Sequence, residues 1–247
     1  MFIIIFLLVI TLNISNSFLV NRIINFKRFS IASSSADDTN DTNVLISEIY
    51  ELENILTNAA VTKTTESDIV INTLLELEKK SRKLKKLDPK NIENMKLNLK
   101  GDWQLIFTTG TIDTQKKLGK VNYFPLKAVQ TFDPSTNYIQ NTVWAFGNPI
   151  IKFMGEFVFL TSEKSGLTKL EFDFDKLCLF EALFGGININ LSEGEAANLG
   201  AKSGLGSQNN IKLSKKKKKP FFNWISANNE IATARGGGGG LALWKRI

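Results

Sequence analysis

Residues 228–247 read NNEIATARGGGGGLALWKRI. Five consecutive glycines, Gly236–Gly240, separate two short runs, and their reading decides the fold. A glycine loop that cradles phosphate needs a strand before it and a helix amino end after it. The ligand's charge is met by the free N–H groups and dipole of that helix. After Gly240 come Leu241-Ala242-Leu243-Trp244-Lys245-Arg246, six residues that alternate as a strand does. The glycines therefore read as a flexible hairpin turn between Glu230–Arg235 and Leu241–Arg246.

Working back from that hairpin, the period of two persists. GDWQLIFTTG sets Trp103, Leu105 and Phe107 against Gln104, Ile106 and Thr108, and YIQNTVWAF puts Tyr138 in step with Trp144 and Phe146. FMGEFVFL places Phe153, Gly155, Phe157 and Phe159 on one face, and KLEFDFD sets Leu170, Phe172 and Phe174 against Glu171 and Asp173. Strands with one buried and one wet face, joined by short turns, make antiparallel sheets. About six to eight of them with no helical period between indicate a barrel or sandwich. Gly155 among the phenylalanines marks a bend or a close backbone approach. Alternation names Phe107, Trp144, Phe157, Phe159, Phe172 and Phe174 as the lining of an apolar interior. Whether they line a ligand cavity or fill a narrow barrel solidly stays open, because small eight-stranded barrels are often filled.

Upstream, residues 44–90 read as two helices. Leu45, Ile49, Leu52, Ile55 and Leu56 fall on one side of the first, and Val70, Leu74 and Leu77 form the stripe of the second. The second becomes basic at its end (Lys79, Lys80, Arg82, Lys83, Lys85, Lys86), which suits the negative end of a helix dipole and reads as a solvated terminus. Pro89 stops it. The expected fold is thus mainly β, an antiparallel barrel or sandwich over 91–247 behind two amino-terminal helices.

Residues 1–17 open with MFIIIFLLVITLNI, an uncharged apolar run too short to span a bilayer comfortably, followed by the small residues Ser15 and Ser17. This is a signal-peptide pattern. Residues 18–36 carry Arg22, Lys27 and Arg28, several serines and no acid, the composition of an organelle transit peptide. A signal peptide followed by a transit peptide opening on Phe18 resembles the bipartite leader of algae with secondary plastids. The polar run DDTNDTN, residues 37–43, is expected to be a disordered mature amino terminus.

Composition narrows the chemistry. The chain has no histidine and one cysteine, Cys178. That excludes a Ser-His-Asp triad, a Cys-His pair, His-bearing metal sites and an internal disulfide. No cofactor or metal is expected. The formal charge is +7, but Arg22, Lys27, Arg28 and Lys215–Lys219 supply the whole surplus and leave the rest at about −1. The basic balance is local, which argues against nucleic acid as a partner. Residues 185–220, rich in Gly, Ser, Asn and Lys, read as a long low-complexity loop inserted in the barrel. Within it, GEAANLGAKS (194–203) fails as a phosphate loop, since Ala201 separates Gly200 from Lys202. The run Lys215–Lys219 beside Phe221, Phe222 and Trp224 reads either as a solvated loop tip or as a membrane-surface contact.

Three blocks together resemble the plastid lipid-associated proteins, or plastid fibrillins. They are the helical lead-in LISEIYELENIL through INTLLELEKK, the strand Leu99-Lys100-Gly101-Asp102-Trp103-Gln104-Leu105-Ile106-Phe107-Thr108-Thr109, and the closing Glu230-Ile231 through Ala234-Arg235-Gly236 to Trp244-Lys245-Arg246. The resemblance runs from about residue 44 onward, apart from the insertion. Ala232 stands where family members often carry a second arginine, and the Lys-rich insertion is unusual. The resemblance implies a lipocalin-like barrel with an apolar cavity. In it, Gly101, Trp103, Arg235 and Trp244 would close the base, with Arg235 or Arg246 stacked on the Trp103 indole. It also implies a plastid location, in stroma, thylakoid or plastoglobule. The function implied is non-enzymatic binding or coating of a prenyl lipid, a carotenoid or membrane lipid. Two other readings stand beside it. One is an enzyme acting on a lipid or isoprenoid through Glu156, Glu171 or Asp173. The other is a membrane-attached scaffold using the same barrel.

Overall fold

The first helix shows why an annex of helices is needed. Helix α1 (Asp38–Thr62) carries a narrow apolar stripe of Leu45, Leu56, Ala59 and Ala60 that it cannot bury alone. In the computed structural model, which describes residues 38–110, 123–124, 126–181, 185–203, 213, 216 and 218–247, that stripe meets α2 (Ser67–Leu87) through Val70, Leu74 and Leu77. The run expected to be disordered before residue 44 is instead helical from Asp38, and an acid such as Asp41 suits a helix's amino end. A third helix, α3 (Lys90–Asn98), comes next. Pro89 does end α2, but it also starts α3, where its missing N–H costs nothing. The leader residues 1–36 lie outside the described residues.

The strands are β1 (Gly101–Thr108), β2 (Lys127–Asp133), β3 (Tyr138–Ala145), β4 (Asn148–Ser162), β5 (Leu167–Leu179), β6 (Ile187–Asn190), β7 (Phe221–Ala227), β8 (Ile231–Gly236) and β9 (Leu241–Arg246). Every pairing is antiparallel. Each strand pairs with the next in sequence, except that β7 pairs with β5 in place of β6, and β9 returns to β1. The result is a closed eight-stranded up-and-down barrel of lipocalin-like type, preceded by helices, with β6 as a short addition.

The glycine run turns the β8–β9 hairpin. The Gly236 N–H donates to the Gly240 carbonyl at 2.8 Å, and Arg235 pairs with Leu241. Gly155 proves to be a close approach: a Cβ there would lie 2.0 Å from the Asp173 carbonyl oxygen, where β5 bulges against β4.

The wall is uneven where β5 meets β7. Their pairing covers only Lys169–Glu171 of β5. Beyond it, the same edge of β5 is taken by β6 at Lys176–Leu179. The segment read as one long loop therefore holds β6 and a helix, α4 (Glu195–Ser203), whose Ala196 joins the barrel core with Leu191. A bare loop there would leave Phe174 and Leu177 open to water, so apolar residues of the insertion cover the gap.

Candidate functional site

The strand directions give the barrel two unlike ends. At one end, α3 inserts Met95 and leads to Leu99 against the core. There the Trp103 indole N–H donates to the Leu99 carbonyl at 2.8 Å, and the guanidinium carbon of Arg246 stands 4.1 Å from the ring centroid. Arg246 also donates to the carbonyls of Lys100 (2.7 Å), Asn229 (3.0 Å), Asn228 (3.2 Å) and Asn98. A Cβ on Gly101 would lie 2.9 Å from the Arg246 guanidinium, so glycine makes room for the stack. This end is sealed. The stacking arginine is Arg246. Arg235 does not join it: its guanidinium is held by Glu78 of α2 and by the Gly239 carbonyl, so it ties the glycine turn to the helices. Trp244 is buried in the barrel core.

The interior is a chain of aromatic rings. Phe172 stacks on Phe222 across the β5–β7 seam, with centroids 5.2 Å apart and planes 17° apart. Trp224 lies 5.2 Å from Trp244 and 5.3 Å from Phe132, and Phe157 lies 6.0 Å from Phe132. Four of the six residues named as lining are here: Phe157, Phe159, Phe172 and Phe174. Phe107 is not. The β1–β9 register slips between Leu105 and Phe107, so Trp103 and Leu105 face inward while Ile106 and Phe107 both pack against the helices. A bulge adds one residue and reverses the faces beyond it. Trp144 also points outward. Ile139 faces the core from β3, and five residues on, alternation puts Trp144 on the opposite face, with the Lys127 ammonium 4.3 Å from its ring centroid.

Toward the other end the inward-facing side chains are still apolar, but only half-buried. Leu105, Ile151, Phe153, Leu179, Phe222 and Ala242 pack against the core while keeping some exposure. They leave this end of the interior apolar and only half-buried. The β3–β4 turn stands on this rim and carries Phe146, 89% exposed.

The acids proposed for an enzymatic reading face away from the interior. Glu156 and Asp173 oppose each other on the outer surface of β4 and β5, and Glu171 pairs with Lys169. Burial pushes the Asp173 carboxyl up from its ordinary value, while N–H donors from Phe174 and Gly194 pull the other way. Among the described residues no carboxylate is buried.

Trp224 corrects the membrane-anchor reading. It is 3% exposed and part of the barrel core, so it cannot reach an interface. Lys216, Lys218 and Lys219 are exposed, and Lys215 and Lys217 lie outside the described residues.

Sequence reasoning misses Lys85. It falls within the basic run read as a solvated helix end, yet it is 4% exposed. Its ammonium donates to the carbonyls of Trp224 (2.9 Å) and Ile225 (2.8 Å), where the β7–β8 register slips. Burial, with Arg82 adding repulsion, lowers its pKa to about 7. A signal exists in the sequence: Lys85 sits one turn after Ser81 and next to Leu84, on the buried side of α2.

No family model matches the chain, and no curated protein matches it. Among solved structures, a lipocalin-like protein from Bacteroides uniformis aligns at 10% identity, covering 61% of this chain and 99% of that one, with a TM-score of 0.32.

Proposed function

We propose that this chain is a non-enzymatic binding protein for an elongated apolar molecule, taken up through the end opposite the Trp103–Arg246 seal. The observation that carries the reading is the set of half-buried apolar side chains that face inward at that end. Water in contact with Phe153, Phe222 and Leu179 is displaced favourably, at roughly 25 cal/mol per Å² of apolar surface covered. A long chain sliding among the rings covers more of that surface than a small molecule does. The resemblance to plastid fibrillins fits the same reading and suggests the cargo: a prenyl lipid, a carotenoid or an acyl lipid, with delivery to the plastid through the bipartite leader. The alternative of a lipid-modifying enzyme draws no support from acids that lie on the outer face of the barrel wall.

Native mass spectrometry with lipid extraction, on the protein purified from its own cells, tests this. A stoichiometric apolar molecule establishes the cargo. A chain that is empty as purified and stays empty after added plastid lipids overturns the reading. Recovery from the plastid fraction tests the location separately.

A further inference from the structure

The barrel core contains buried polar atoms without a hydrogen-bond partner among the described residues. Gln130, 5% exposed, faces inward two residues before Phe132 on β2. Its amide nitrogen donates to the Asn141 side-chain oxygen at 2.7 Å, which leaves its Oε1 without a partner among the described residues. Turning the amide over would only exchange which atom is left over. The Trp224 ring lies 5.3 Å from the Phe132 phenyl, and its indole N–H is also buried and without a partner among the described residues. A buried polar group without a partner costs about 1–3 kcal/mol, and most buried polar groups in native folds find one. The orphans are complementary, one acceptor and one donor. Both side chains face the barrel interior.

We infer that the barrel takes an apolar molecule whose buried end carries a hydroxyl group, seated beside Phe132 between Gln130 and Trp224. This rests on the binding function proposed above and adds the chemistry of the ligand's inner end. A hydroxyl donates and accepts at once, so it satisfies either orphan and either orientation of the Gln130 amide. An ether or an alkane of the same length covers the same rings but leaves the Gln130 oxygen bare.

The test titrates the full chain with dodecanol and with its equal-length isomer methyl undecyl ether, following the fluorescence of the buried tryptophans. The expected result is that the alcohol binds about tenfold more tightly than the ether, the discrimination that one satisfied buried group confers. In Gln130→Met the alcohol should fall toward the ether while the ether's own affinity is held; Trp224→Phe removes a donor that both oxygens can use and should weaken the two alike. Equal affinities in the unmodified protein would overturn the hydroxyl assignment and leave uptake of apolar molecules standing; the orphans would then be water sites. Failure of both compounds to bind would overturn the binding function itself. The unmodified comparison decides the matter even if a variant does not fold.

Discussion

The Arg246 guanidinium lies over the Trp103 indole, 4.1 Å from the ring centroid, and thereby joins the final strand to the first. The contact does more than stack two groups. The same guanidinium collects the carbonyls of Asn98 and Lys100 from the approach to β1 and those of Asn228 and Asn229 from the β7–β8 turn. One side chain therefore holds three chain segments and the base of the barrel together.

Arg246→Ala should lower stability by about 2–3 kcal/mol, combining the lost cation–π contact with carbonyls left to find water. Arg246→Lys should recover only a part, because an ammonium cannot lie flat on the ring and serve four carbonyls at once. Urea unfolding with matched slopes measures both. A lysine variant as stable as the parent would show that charge alone matters.

Gly101→Ala should cost about 1–3 kcal/mol, since the residue has φ +122° and its new methyl would press on the guanidinium at 2.9 Å. The steric share should vanish in the Arg246→Ala background, while the backbone share persists. A double-mutant cycle separates them. Strict additivity would mean that the glycine serves the backbone only.

Lys85 gives a pH dependence with a definite sign. The unfolded chain keeps this proton up to about 10.5, while the folded chain gives it up near 7. Between those values the unfolded state binds more protons, so the contribution of Lys85 makes stability rise with pH. Below about 7 both states are protonated, and the folded chain bears the whole cost of the buried charge. Thermal unfolding of the parent between pH 7 and 10 should therefore show a steeper upward slope than that of Lys85→Met. Parallel profiles would place the proton elsewhere.

The β3–β4 turn is built against its own sequence. Phe146 has φ +52° and Gly147 φ +78°, the pair of signs that favours Asn-Gly. Phe146→Asn should stabilise the fold by about 0.5–1 kcal/mol, read as a higher denaturant midpoint. A lower midpoint would mean that the phenyl ring, 89% exposed, has a packing role in the folded chain.

Much of the fold is legible in the sequence, and the failures have a common physical cause. Strand period and hairpin glycines follow from local chemistry, whereas the Trp103 stack follows from the family resemblance, which leaves Arg235 and Arg246 both open. Alternation correctly turns Phe157, Phe159, Phe172 and Phe174 inward because β4 and β5 keep it through those residues. It fails for Phe107 because a bulge resets the faces, and bulges arise from partner strands that a single segment does not reveal. It fails for Trp144 because both faces of β3 carry apolar residues, so the pattern does not choose between them. Lys85 and the covering of the seam by Leu191 and Ala196 depend on contacts distant in sequence. The aromatic interior is thus readable, while the unlike character of its two ends is not.

The short meeting of β5 with β7 gives the barrel a mechanical grain. Strand β4 grips β5 from Ile151 to Ser162, whereas β7 holds it only from Lys169 to Glu171. Under load, or in a spontaneous fluctuation, the wall should part along that line first, splitting Phe172 from Phe222 while the rest stays woven. A molecule taken up as proposed, and too bulky to pass the end where Phe153 and Leu179 lie, would then leave sideways, as through a zip rather than a lid.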